Sequence, residues 1–142
     1  QARRSRSGHI TYFASGPISW RSVRQDIVAL STMEAELISY VTCLQSATYL
    51  NRILGNSSKV KMFGDNQAAI SYVKNHNITN RTKLISIRIH WIQERLSSNK
   101  LEILYIATSQ NVADMVTKPL SHHKTQELLK SYPPQFQVQG EY

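Results

Sequence analysis

Residues 31–37, Ser31-Thr32-Met33-Glu34-Ala35-Glu36-Leu37, open an apolar-periodic run that reaches Leu54. Ser31 is placed to cap a helix, and Glu34, three residues on, completes a Ser-x-x-Glu capping box. Leu37, Val41, Leu44 and Ala47 recur at helical spacing, with Ile38, Leu50 and Leu54 widening the stripe. Gly55 is a suitable stop. The run predicts a helix over 31–54 with one face on a core. Glu34 and Glu36 are two residues apart, so they point to nearly opposite sides of that helix. If Glu34 serves the cap, Glu36 needs another reason to be there.

Upstream, residues 9–14 (HITYFA) alternate and carry β-formers, which predicts a strand. Ser15-Gly16-Pro17 reads as a turn, and residues 18–23 (ISWRSV) as the second strand of an antiparallel hairpin. Downstream, residues 59–64 (KVKMFG) predict a short strand ending at Asp65, and 66–74 a short helix. Residues 75–80 (NHNITN) are a polar loop. A second long helix follows over 83–97, with Ile85, Ile89, Ile92 and Leu96 on one stripe. Residues 101–107 (LEILYIA) are nearly unbroken apolar, the pattern of a buried strand. Thr108 or Ser109 is placed to cap a helix to about Lys118, stopped by Pro119. A last helix is expected over 124–132, with a loose tail over 133–142. An antiparallel pair feeding helix-linked strands argues for an α/β fold, a mixed sheet with helices on its faces. One domain over 1–132 is expected.

The chain has 142 residues, and 41% are apolar, enough for one packed core. Its 17 Lys and Arg against 9 Asp and Glu leave a net charge of +8. That excess suits a polyanion, nucleic acid before anionic membrane. No run of 18 apolar residues exists, so no spanning helix is expected. The Arg-rich start has no apolar stretch behind it and does not read as a secretory signal. A lone Cys43 excludes an internal disulfide framework and reads as a buried structural thiol. His76, His90, His122 and His123 lack zinc spacing.

Three of the nine acids stand where a shared site could form. Glu36 lies in the first turns of a helix. Asp65 ends a strand, the edge where open α/β sheets bind ligands. Asp114 lies near the start of a helix that follows a buried strand. Converging carboxylates repel one another unless a cation lies between them, and Mg²⁺ takes carboxylate oxygens plus waters. Two such ions activate a water and stabilise the leaving oxygen of a phosphodiester. A structural reading competes at each position. Asp65 could cap the following helix, and Glu36 and Asp114 could complement helix dipoles. Spacing does not show that the three meet.

Six stretches then carry a resemblance: RSRSGHITYF, PISWRSVRQDIVALSTMEAELISY, FGDNQAAISYVKN, NRTKLISIRIHWIQERL, LEILYIAT and SQNVADMVTKPL. In this order, over roughly residues 3–130, they resemble the ribonuclease H domain of copia-type LTR retrotransposon polyproteins. The resemblance implies a ribonuclease H-like fold, a five-stranded mixed sheet with flanking helices. It implies metal-dependent endonucleolytic hydrolysis of the RNA strand of an RNA–DNA hybrid. Two Mg²⁺ ions are expected, with Mn²⁺ as a substitute. The implied partners are the hybrid and a covalently linked reverse transcriptase. The implied location is a cytoplasmic virus-like particle, or the nucleus. Carried over by motif, the metal-binding acids fall on Glu36, Asp65 and Asp114. The family uses a fourth acid, an Asp on the first strand, upstream of the RSRSG-like turn. This chain begins at Gln1, so the expectation is a sheet with its first strand largely missing and weak or absent hydrolysis by the chain alone. The alternative is a catalytically inactive, nucleic-acid-binding remnant of the same fold.

Leu84-Ile85-Ser86 stands where the family usually has His-Ile-Asp, and Met33 replaces a more usual Thr or Ser. Arg81, Lys83, Arg88 and Arg95 cluster on or before the second long helix, away from its Ile stripe. Arg3, Arg4 and Arg6 form a second group, and Arg21 and Arg24 a third. Such groups give affinity for phosphates without reading sequence, although a solvated basic face has the same appearance. Asn66 and Gln67, beside Asp65, are placed to reach sugar or base edges. Trp20 and Trp91 read as core or rim aromatics.

Overall fold

The computed structural model describes residues 5–26, 29, 31–75 and 83–130. The element order is β1 (Arg6–Phe13), β2 (Gly16–Arg24), α1 (Thr32–Ile53), β3 (Val60–Gly64), α2 (Gln67–Asn75), α3 (Lys83–Ser97), β4 (Leu101–Tyr105), α4 (Asp114–Thr117) and α5 (His122–Lys130). The chain divides into two compact units, one from Gln1–Val28 and Ile106–Tyr142, the other Ala29–Tyr105.

The second unit is built on α1. Ser31 caps it, its Oγ accepting from the Glu34 amide at 3.1 Å. The other end closes in a Schellman arrangement. Gly55 takes φ +62°, its amide donates to the Arg52 carbonyl, and that of Asn56 donates to Asn51. Leu37, Tyr40, Val41 and Leu44 are buried. Leu54, expected on the apolar stripe, is 45% exposed because the helix has already ended. β3 and β4 pair in parallel, Val60 opposite Leu101 and Gly64 opposite Tyr105. Met62, Leu101 and Ile103 meet Leu44, Ala69, Ile70, Val73, Ile89 and Ile92 in one apolar core. Each such side chain contributes about 1.5–3 kcal/mol when fully buried. Of the expected α3 stripe, Ile89 and Ile92 are buried and Leu96 packs against the core, while the Ile85 side chain lies outside the described residues. The helix ends on Asn99 at φ +57°, an αL position that Asn tolerates. Burial pushes the Cys43 thiol up to about 12, so it stays protonated and packs as a small apolar group.

The first unit holds the hairpin. Its turn is not Ser15-Gly16-Pro17 but Ala14-Ser15, with φ of +48° and +65°. Two central residues at positive φ match the twist of the flanking strands, which draws the turn forward. The strands are longer than expected, paired from Arg6–Arg24 to Phe13–Gly16, with an irregularity between Thr11 and Tyr12 opposite Pro17. Proline has no amide to give to a ladder. Gly8 is required by α4. A Cβ there would overlap the Thr117 methyl and lie 2.7 Å from Val116 Cγ2. The continuous helix expected from 108 to 118 is also corrected. A 3₁₀ turn at Thr108–Gln110 is followed by α4 alone. Asn111 interrupts it, its Oδ1 accepting from the Ala113 amide at 3.2 Å, a local bond that competes with the helical one. α5 starts earlier than expected, capped by Ser121 Oγ, which accepts from the Lys124 amide.

The single mixed sheet expected from the sequence is therefore replaced, among the described residues, by two two-stranded sheets, one antiparallel and one parallel. No helix of the described residues is long and apolar enough to cross a membrane. Of the loop expected at 75–80, Asn75 is instead the last residue of α2 and 76–80 lie outside the described residues, as does the tail at 133–142.

Candidate carboxylate site

Glu36 and Asp65 reach their places by different routes. Glu36 sits one turn into α1, on a helix fixed at both ends and along its buried face. Asp65 follows the last residue of β3. The helix behind it is capped by its neighbour: Asn66 Oδ1 accepts from the Ala69 amide at 3.0 Å and the Asn66 carbonyl from Ile70 at 3.1 Å. The competing structural reading of Asp65, as a cap, thus falls to Asn66.

Both acids neighbour Tyr40, a residue the sequence reading does not single out: Glu36 precedes it by one turn, and Asp65 follows the glycine it packs on. Tyr40 is one turn beyond Glu36 and 5% exposed. Its ring crosses onto Gly64, the residue before Asp65. A Cβ at 64 would overlap the Tyr40 hydroxyl and lie 2.8 Å from its Cζ. Burial raises the ionisation of this phenol far above its ordinary range, and the charges of Glu36 and then Asp65 raise it further. Two signals could have found it: a tyrosine four residues after the odd glutamate, and a strand glycine, which marks a close approach.

Asp114 is the first residue of α4. Both of its carboxylate oxygens accept from Lys118 Nζ at 3.1 Å. The Asp114 side chain is 14% exposed and that of Lys118 54%. This i,i+4 pair was readable from spacing. Asp114 belongs to the unit that holds the hairpin, Glu36 and Asp65 to the other. Among the described residues, no group of three or more His, Cys, Asp or Glu is placed to hold a metal ion. Glu36 and Asp65 belong to one unit, each next to a residue of the Tyr40–Gly64 contact. Two carboxylates completed by waters are a donor set that Mg²⁺ accepts, and an unpartnered buried hydroxyl beside them fits a polar, charged site.

Of the basic residues expected to meet nucleic acid, Arg88 and Arg95 lie half-buried on α3. The Arg95 guanidinium stacks over Trp91 at 4.5 Å from the ring centroid, a rigid platform with both a cation and an aromatic face. Arg81 lies outside the described residues, as does the side chain of Lys83. Gln67 is exposed, while the Asn66 side-chain oxygen is held in the α2 cap. Trp20, read as core or rim, is 66% exposed.

The homologues of this chain are retrotransposon Pol polyproteins. It is 38% identical over 126 residues to the retrovirus-related Pol polyprotein from transposon TNT 1-94 of Nicotiana tabacum, covering 86% of this chain and 10% of that protein. It is 30% identical over 122 residues to the corresponding polyprotein from transposon RE2 of Arabidopsis thaliana, covering 82% of this chain and 8% of the relative. The truncated transposon Ty1-A Gag-Pol polyprotein of Saccharomyces cerevisiae is 29% identical over 122 residues, covering 82% of this chain and 10% of the relative. The chain spans a tenth or less of the length of these curated relatives. No family model and no solved structure matches it. The resemblance read from the motifs holds at the level of the retrotransposon Pol polyprotein.

Proposed function

We propose that this chain is the ribonuclease H region of a copia-type Pol polyprotein and adopts a ribonuclease H-like fold. Its activity is hydrolysis of the RNA strand of an RNA–DNA hybrid, carried out by a protein that also contains a reverse transcriptase. The observation that supports this reading is the placement of Glu36 one turn before Tyr40 on α1 and of Asp65 directly after Gly64, on which the Tyr40 ring rests. Glu36 and Asp65 would hold Mg²⁺, or Mn²⁺ in its place, and Asp114 is the third acid that the motif resemblance implies. Such an ion, when bound, lowers the pKa of a water and neutralises charge building on the phosphodiester. The chain's own contributions are positional. α1 and β3 fix two carboxylates before any ion arrives. Lys118 pairs with the Asp114 carboxylate. The half-buried Arg88 and the Arg95–Trp91 platform hold the hybrid through phosphates and sugar faces, as a hybrid is read by shape and 2′-OH groups.

A second reading is a nucleic-acid-binding region of the same fold without hydrolysis. One observation favours it: Lys118 engages both oxygens of Asp114. A single assay separates the two. The chain is joined to the residues that flank the matched region in the tobacco relative and given a labelled RNA–DNA hybrid with Mg²⁺. Cleavage is expected, reduced at least about a hundredfold by Glu36→Gln or Asp65→Asn. A hybrid bound but left intact supports the second reading, and a hybrid neither bound nor cut overturns both.

A further inference from the structure

The hairpin carries charge that its own fold does not use. Residues 1–25 hold five arginines and no acid. Side chains alternate across a strand, so the register sets Arg6 opposite Arg24, Gly8 opposite Ser22 and Ile10 opposite Trp20 on one face. Like charges directly opposite each other destabilise an antiparallel pair. Arg6 is nevertheless held in place, its Nη1 donating to Ser22 Oγ at 3.0 Å, and the guanidinium fork keeps further N–H groups to give. Arg24 is exposed. The ion pairs among the described residues are Lys118–Asp114 and Lys124–Glu127, so neither arginine meets a carboxylate. α4 packs on Gly8 from this side, and its one acid, Asp114, is held by Lys118. Trp20 stands about 13 Å along β2 from Arg24. It is 66% exposed, and Phe13 and Ile18, toward the turn, are exposed as well.

We propose that this face of the hairpin binds single-stranded nucleic acid, with phosphates on Arg6 and Arg24 and an unpaired base stacked on Trp20. Cations that follow a phosphate backbone, with an aromatic ring on which a base lies, are the parts of a sequence-tolerant single-strand site. A duplex keeps its base faces in its own stack, so only an unpaired strand offers one to the indole. The phosphates also relieve the repulsion that the ladder builds between the two arginines. The inference does not rest on the carboxylates. It holds whether or not a hybrid is cut, and it gives the hairpin a strand-holding role of its own.

Fluorescence anisotropy of a labelled oligoadenylate of about 12 nucleotides, titrated with the joined protein, tests this. Trp20→Ala is expected to weaken binding roughly tenfold, and Trp20→Phe, which keeps a stacking ring, to restore most of it. Arg24→Gln should reduce the slope of log affinity against log salt by about 0.7. It should also melt at or above the parent temperature, since a like-charge pair is gone. Equal binding by the parent and Trp20→Ala overturns the proposal. Should Trp20→Ala fail to fold, the other two variants decide. Binding retained by Trp20→Phe with the smaller salt slope of Arg24→Gln supports the proposal, and an unchanged slope overturns it. Polyglutamate or anionic phospholipid vesicles that displace the label as well as unlabelled oligoadenylate does would mean that charge alone is recognised, which overturns the single-strand assignment.

Discussion

The two sheets of this protein bury opposite chemistries. The parallel pair, β3 and β4, buries Met62, Leu101 and Ile103 among helical Leu, Ile and Val side chains. The hairpin buries Ser7, His9 and Gln25. There the Gln25 Nε2 donates to Ser7 Oγ at 2.7 Å, while His9 Nε2 and Thr11 Oγ1 are buried without partners. The difference teaches where rigidity comes from. Apolar burial is non-directional and tolerates pH and salt. Buried polar networks hold only while every group keeps its partner and protonation state. Asp65 directly follows β3, so its backbone is anchored by the apolar sheet.

The contrast can be broken from either side, with amide hydrogen exchange reading each ladder separately. Ile103→Ala should have the largest effect, about 2–5 kcal/mol from lost burial and a cavity. Exchange should accelerate first in β3 and β4. Equal acceleration in β1 and β2 would mean that the two sheets share one core. Gly64→Ala should cost about 1–3 kcal/mol by overpacking. The cost should fall in a Tyr40→Phe background, since the hydroxyl is the nearest atom to the new methyl. Mild acid should act on the hairpin alone. Burial first, and then the Arg21 charge, lower the pKa of His9 from its ordinary 6.5. The fold therefore holds the imidazole neutral. Stability is complete above pH 6.5, where folded and unfolded chains are both unprotonated, and falls as pH drops from there toward the lowered folded value. His9→Asn should flatten that profile, and an unchanged profile would refute the assignment. The smallest effect should come from Lys118→Met, within about 0.5 kcal/mol because the lysine is mostly exposed. Its signature should be kinetic, a changed Mg²⁺ dependence of hydrolysis at nearly constant melting temperature.

Legibility in the sequence followed the same division. α1, α3 and β4 were readable because long apolar periods and side-chain caps are local signals that tertiary packing reinforced. The hairpin turn was misplaced because Gly16-Pro17 is the stronger local signal, whereas Ala14 and Ser15 adopt positive φ only under the twist of the paired strands. The break at Asn111 depends on one side-chain bond that composition does not reveal. Of the site, Glu36 stood out by exclusion from the cap, and Asp65 by its place at a strand end. Tyr40 escaped because a tyrosine on a helix reads as core filling, and its hydroxyl matters only once Gly64 is seen beneath it. The Trp91–Arg95 stack was hidden for a similar reason, since helical spacing permits the pair but does not require it.

The division of labour between Asp65 and Asn66 has a consequence for how such a site can change over time. The amide closes α2, and the acid beside it contributes charge without contributing closure. A copy of the gene can therefore exchange that acid and still produce a folded chain. On the proposed reading, a copy that has lost the acid at 65 loses chemistry and keeps its architecture.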